Sequence, residues 1–228
     1  MALPGGTVSL LFTDIEGSTA LVRELGDQYA TVVAQHRQLL REAVDAVGGQ
    51  EVDTQGDAFF FAFSGARAAL MAAVESQRAL HAHAWPGAVE VRVRMGVHSG
   101  EPTVTDEGYV GMDVVRAARI CAAGHGGQVL VSAATRALVG ADLPSGVRVV
   151  DLGERHLKDV GYEHLYQLLI DGLPDEFPPV RHHREGREEA LTRLFADRIT
   201  DQVERELRAA FEPFTPDPPP PAPPPPAR

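Results

Sequence analysis

The run Thr7-Val8-Ser9-Leu10-Leu11-Phe12 passes straight into Thr13-Asp14-Ile15-Glu16-Gly17-Ser18-Thr19, and this junction constrains the fold more than any other stretch of the chain. A short apolar, partly β-branched run predicts a buried strand, which ends at Asp14. Gly17, Ser18 and Thr19 then supply a turn and hydroxyl N-caps for a helix from about Ala20. Amide N–H groups and the positive end of a helix therefore lie beside a carboxylate, a junction that suits a phosphate and its metal ion. Downstream, Glu51–Gln55 and Ala58–Phe63 are strand-like runs on either side of Gly56-Asp57, a turn pair in the reverse order to the commonest hairpin dipeptide. Asp57 would sit at the hairpin tip. With the first strand beside this hairpin, Asp14 and Asp57 converge, and two carboxylates set against a triphosphate are the usual oxygen ligands of Mg²⁺. Taken singly, each Asp also reads as a turn-capping residue, the commoner role of Asp at such places.

The remaining pattern interleaves helices and strands. Ala20–Val47 carries apolar residues near a 3.6 spacing, with one break at Gly26-Asp27, and Gly48-Gly49 ends it. An alanine-rich helix follows over Ser64–Ala84, closed by Trp85-Pro86-Gly87. Val89–Val97 alternates with period two and predicts a long strand ending beside His98, which reads as a hydrogen-bonded structural histidine because no His or Cys stands near it at metal spacing. Glu101–Glu107 is polar and turn-like, with room for a short hairpin. Met112–Ala123 reads as a helix with Arg116 and Arg119 on one side, and Cys121 as a core filler. Gln128–Val131 reads as a strand, Ser132 as the cap of a short helix to Val139, and Val147–Leu152 and Leu165–Ile170 as the closing strands. The fold class is α+β, a sandwich of a mixed or antiparallel sheet with helices.

A first domain over residues 1–172 is expected, followed by a linker over 173–187, an amphipathic helix over 188–212 and a disordered proline-rich tail over 213–228. The amphipathic helix or the tail offers a surface for a partner. The formal net charge of -11 leaves no basic face for nucleic acid. No stretch approaches a membrane span, and one cysteine permits no intramolecular disulfide, so a cytoplasmic protein with no membrane partner is expected.

Four ordered blocks carry a resemblance. Phe12–Thr19, Thr54-Gln55-Gly56-Asp57-Ala58-Phe59, Arg94-Met95-Gly96-Val97-His98-Ser99-Gly100, and Gly108-Tyr109-Val110-Gly111 through Arg119 are similar in order and spacing to the class III adenylate and guanylate cyclase catalytic domain, bacterial branch. The resemblance covers roughly Gly6 to Leu169. It implies a ferredoxin-like sheet, two Mg²⁺ or Mn²⁺ ions on Asp14, Ile15 and Asp57, and conversion of ATP, or GTP, to the cyclic nucleotide and pyrophosphate. It further implies a homodimer with shared active sites, in which Arg119 reaches the phosphates from the partner chain. Substrate contacts fall on Gly17, Ser18, Thr19, Asp53, Gln55 and Lys158. The chain departs from the family at four places. Asp53 stands where cyclic-AMP-forming members usually carry a lysine, Gly108 where the paired aspartate is expected, Val115 where the transition-state asparagine is expected, and Val160 where a phosphate lysine is expected, with Lys158 nearby. Those departures touch base selection and rate, and they open an alternative: a degenerate nucleotide-sensing or dimerisation module.

Overall fold

The computed structural model describes residues 3–106 and 108–181 of the chain; the predicted 188–212 helix and the proline-rich tail lie outside them. Strand β1, Val8–Ile15, is buried at all eight positions because it runs between two neighbours and under helices on both sides. That is why it reads as a continuous apolar run and not as an alternation. A helical segment follows in two pieces, α1 over Ser18–Leu25 and α2 over Tyr29–Asp45, split by a 3₁₀ turn that Gly26 enters at φ 53°. Next come the hairpin of β2, Gln50–Gln55, and β3, Ala58–Phe63, then α3, Ala66–Ala82, and β4, Val93–Gly100.

These elements form a ferredoxin-like half-sheet in the order β2-β3-β1-β4, antiparallel throughout. Two short strands, β5 (Thr103–Thr105) and β6 (Gly108–Val110), pair as a separate hairpin ahead of α4, Met112–Ala123. Helix α4 crosses over to β7, Val129–Ser132, which lies parallel to β4; α5 (Ala133–Val139) and the long hairpin of β8 (Val147–Leu157) and β9 (Gly161–Ile170) complete the seven-stranded sheet.

Alternation along the strands sorts the core into two layers. Leu11, Ile15, Phe59, Phe61, Met95 and Val97 face the layer that holds α2, α3 and α5, whereas Leu10, Phe12, Phe60 and Ala62 face α4 through Val114, Ala117, Ala118 and Cys121. Helix α4 approaches the sheet closely because Gly96 has no side chain. A Cβ there would lie 2.3 Å from the Cys121 amide nitrogen.

Four expectations are corrected. The strand expected from Val89 starts at Val93, because its partner β1 ends at Ile15, opposite Val93. The hydroxyls of Ser18 and Thr19 do not cap α1; Gly17 occupies the N-cap at φ 70° and no side chain bonds there. Strands β8 and β9 run several residues past the expected apolar stretches, through Glu154-Arg155-His156 and Tyr162-Glu163-His164, where ladder hydrogen bonds and not an apolar face hold the pairing. The segment read as linker from residue 173 is laid along the domain as far as Arg181. Val180 is 4% exposed beside Ile120, Leu130 and Leu165, and the Arg181 amide donates to the Ala123 carbonyl at 2.9 Å.

Candidate active site

Asp14 shares the α4-facing side of β1 with Leu10 and Phe12, and the β1–β4 register sets it directly opposite Arg94. The Arg94 guanidinium donates to the Asp14 carboxylate, and both side chains are buried. The sequence marks Arg94 only as one residue of an alternating strand; its role emerges from the register. Asp57 is 2% exposed at the β2–β3 turn, where Gly56 has φ 60° and Asp57 does not have positive φ, the sign pattern of a type II′ hairpin. The two carboxylates meet electrostatically at Tyr29, the first residue of α2. Burial first and Asp57 second push its phenol up to about 12; the Ser18 hydroxyl opposes them, and Asp14 adds a smaller push than Ser18 takes away, with Arg37 opposing least. Tyr29 is therefore a neutral O–H group in the field of both carboxylates. Ser18 stands beside it, Thr19 is exposed on the first turn of α1, and Gly17 forms the loop. The Ile15 side chain is wholly in the core, so Ile15 can offer a metal ion only its main-chain carbonyl.

Along β2, Asp53 and Gln55 are turned toward each other. The Gln55 amide donates to Asp53 at 3.2 Å, and the Thr54 amide donates to the other Asp53 oxygen at 2.8 Å. Two arginines one turn apart on α2 hold the hairpin from the side. Arg41 donates to the Glu51 carboxylate at 2.7 and 2.9 Å and lies over the Phe59 ring, and Arg37 donates to the Gly56 carbonyl at 2.5 Å.

Arg119 lies elsewhere in the chain. It is 6% exposed and donates to Asp159 at 2.7 Å, on the turn between β8 and β9 that also carries Lys158. Asp57 and Asp159 thus occupy the turns of two edge hairpins at opposite ends of the strand order. His98 is the middle of a buried relay: Nδ1 meets the Ser132 hydroxyl at 2.9 Å and Nε2 meets Asp113 at 3.1 Å, while Asp113 accepts from Arg116 at 2.9 Å. Burial lowers the His98 pKa despite Asp113. Ser132 is fully buried, so this Ser-His-Asp string braces α4 and α5 on β4 and presents no nucleophile to solvent.

The site so far comprises a carboxylate at the end of a central strand, a second on the adjoining hairpin turn, and a helix-borne arginine at the far hairpin. The profile of the adenylate and guanylate cyclase catalytic domain matches residues 2–170. This chain belongs to that family. It is 39% identical over 181 residues to "Uncharacterized protein Rv0891c" of Mycobacterium tuberculosis, an alignment covering 78% of this chain and 61% of that protein. The chain thus spans about three fifths of the length of this curated relative. It is 36% identical over 157 residues to the adenylate cyclase of Mycosarcoma maydis, covering 58% of this chain and 6% of that one. Among solved structures, an adenylate cyclase from Trypanosoma brucei, described in its monomeric state, superposes with a TM-score of 0.73 at 28% identity, covering 80% of this chain and 97% of that one.

Of the four positions noted as departures in the sequence of this cyclase domain, Asp53 is a carboxylate on β2, whereas Gly108, Val115 and Val160 are apolar and pack against the α4 side of the domain. Val115 is buried in the cluster with Tyr109 and Phe60, Val160 packs on the same cluster, and Gly108 has φ 128° with Val52 3.2 Å from where a Cβ would stand. The donor set at Asp14 and Asp57 fits a hard divalent ion. Among the described residues no group of three or more His, Cys, Asp or Glu could hold a metal by itself, and two carboxylates with a carbonyl are what Mg²⁺ uses when substrate phosphates and water complete its shell.

Proposed function

We propose that this domain is a nucleotide cyclase that converts ATP, with GTP as the competing substrate, to the 3′,5′-cyclic nucleotide and pyrophosphate. The observation that carries the reading is the pair of buried carboxylates, Asp14 and Asp57, whose fields converge on one phenol at the mouth of α2. When bound, two Mg²⁺ or Mn²⁺ ions would neutralise the triphosphate and acidify the ribose 3′ hydroxyl. Asp14 and Asp57 would hold them, with the Ile15 carbonyl. The first-turn amides of α1, over Gly17, Ser18 and Thr19, would take phosphate oxygens at the positive end of the helix. Arg94 is already engaged with Asp14 and supplies a buried cation where the phosphates arrive. The ribose 3′ oxygen then bonds to the α-phosphorus as the bond to the bridging oxygen breaks, pyrophosphate departs, and the hydroxyl proton passes to solvent. Positioning and charge stabilisation do most of this work.

Arg119 serves the developing charge from the second subunit of a homodimer with shared sites, and Lys158 lies on the turn beside the arginine's partner Asp159. Asp53 and Gln55 face the base. Asp53 only accepts hydrogen bonds, which suits the donors of guanine, but its oxygens already accept from Gln55 Nε2 and the Thr54 amide, which leaves the Gln55 side-chain carbonyl to accept from the adenine amino group, and ATP stays ahead.

Pure protein incubated with ATP or GTP and Mn²⁺, with the products separated by chromatography, tests the reading. Cyclic nucleotide and pyrophosphate in equal amounts are expected, and Asp57→Ala should lose more than tenfold while remaining folded, a barrier change above about 1.4 kcal/mol. The enclosed Val115 favours a second reading, a nucleotide-sensing or dimerisation module; tight nucleotide binding with no product would select it.

A further inference from the structure

Asp57 rides on an irregular edge hairpin. Among the described residues strand β2 is the outermost strand of its sheet, and its pairing with β3 slips between Glu51 and Asp53, leaving a bulge at Val52, five residues before Asp57. The bulge interrupts the ladder and bends the strand that leads to the tip. Helix α2 supplies what the ladder lacks. Arg37 and Arg41 are four residues apart and therefore lie on one face of the helix. Arg41 grips the root of the hairpin through Glu51, which Thr54 also contacts, and lies over Phe59, with its guanidinium carbon 5.3 Å from the ring centre. Arg37 grips the tip, donating to the Gly56 carbonyl at 2.5 Å, one residue before Asp57. The same guanidinium acts on the neutral Tyr29 phenol and on the Glu51 carboxylate, so its charge lies between the site and the hairpin root.

We propose that Arg37 is a positioning residue that sets the Asp57 carboxylate for metal binding by holding the Gly56 carbonyl, with Arg41 holding only the root of the hairpin. The proposal rests on the cyclase reading. Arg37 touches neither metal nor nucleotide; it fixes the turn that presents Asp57, and a carboxylate displaced by even 1 Å loses much of its value to a metal-assisted reaction. A guanidinium donating to a carbonyl can be imitated in part by a lysine ammonium at the same site, whereas a residue needed only for folding has no reason to show that rescue.

The test compares wild type, Arg37→Ala, Arg37→Gln, Arg37→Lys and Arg41→Ala. Two readouts are taken: the Mn²⁺ concentration giving half-maximal turnover at saturating ATP, and amide hydrogen exchange of the hairpin without nucleotide. Arg37→Ala and Arg37→Gln are expected to raise the half-saturating Mn²⁺ about tenfold, with the KM for ATP within twofold. Arg37→Lys should recover at least half of that loss, and Arg41→Ala should leave the Mn²⁺ dependence within twofold. Exchange should quicken at residues 55–58 in Arg37→Ala and at 50–54 in Arg41→Ala. An unchanged Mn²⁺ dependence in both Arg37→Ala and Arg37→Gln overturns the proposal, as does quickened exchange spread evenly over the hairpin. If the wild type makes no product and binds no Mn²⁺ with an inert α,β-methylene triphosphate, the cyclase reading falls. The exchange pattern then decides the clamp alone: a tip that stays closed in Arg37→Ala overturns it.

Discussion

His36 sits one residue before Arg37, wholly buried, with its ring 5.9 Å from that of Phe59 and no hydrogen-bond partner for either nitrogen among the described residues. Burial, helped by Arg37, lowers its pKa from 6.5 to about 3, so the folded chain keeps this imidazole neutral. The unfolded chain takes up the proton below about 6.5 and the folded chain does not, so this residue's stabilising contribution is complete above that pH and drains away as the pH falls toward 3. Roughly 2 kcal/mol should be lost between pH 7 and 5, read as a lower urea midpoint. His36→Leu should flatten that part of the profile and cost little at pH 7, since two unsatisfied ring nitrogens leave with it; an equally steep acid loss in the variant would refute the assignment. The same residues show what a linear reading can and cannot reach. Asp14 and Asp57 were legible because a strand end and a hairpin turn are local features. Arg94, Tyr29 and Arg37 were not, because each acquires its meaning from a partner 80, 28 or 19 positions away: Arg94 opposite Asp14, Tyr29 facing Asp57, and Arg37 on Gly56. His36 read as one more residue of an amphipathic helix, with nothing to mark it as the polar member of an apolar layer.

Helix α4 and the strap over residues 173–181 show how elements are fixed to the sheet. Gly96→Ala would drive a methyl into the Cys121 backbone at 2.3 Å, and a helix backbone cannot yield as a side-chain tip can. A loss of about 1–3 kcal/mol is expected, measured by urea denaturation, together with reduced turnover because α4 carries Arg119; a wild-type midpoint would mean that α4 is free to shift. The strap is held by apolar burial and main-chain bonds: Val180 in its pocket, the Arg181 amide on Ala123, and the Pro179 carbonyl on His125 at 3.1 Å. It ends with the Arg181 guanidinium on Glu16, two residues beyond Asp14. A chain ended after Gly172 should therefore melt about 5 °C below one ended after Arg181, as burial of one valine and its neighbours implies; equal melting temperatures would make the strap a passive tether. Sequence pattern found the β1, β2–β3, α3, α4 and α5 elements nearly at their observed limits, since strong periodicity and glycine stops are local. It misplaced the start of β4 and the reach of β8–β9 and did not show that residues 173–181 pack on the sheet, because each of these depends on where a partner strand stops or on a pocket assembled from distant residues.

At the scale of the whole molecule, one chain separates the two halves of the proposed chemistry. The β2–β3 edge carries Asp57, while the β8–β9 edge carries the turn on which Asp159 holds Arg119. A protein of formal charge -11 that handles a triphosphate needs cations placed locally, and Arg119 is the one that a two-fold dimer would bring across to its partner's carboxylates. Nothing in a single sequence fixes such an arrangement, since symmetry acts between copies. Asp57→Ala and Arg119→Ala should each be nearly inactive alone. A mixed dimer of the two would contain one site with both defects and one with neither. With random exchange of equal amounts, half of the dimers are mixed and each has one intact site of two, so roughly a quarter of wild-type activity should return. Co-expression of the two variants removes slow subunit exchange as a cause of failure. Activity no greater than the sum of the two variants would mean that Asp57 and Arg119 act within one chain, or that Arg119 does no more than hold the β8–β9 turn through Asp159.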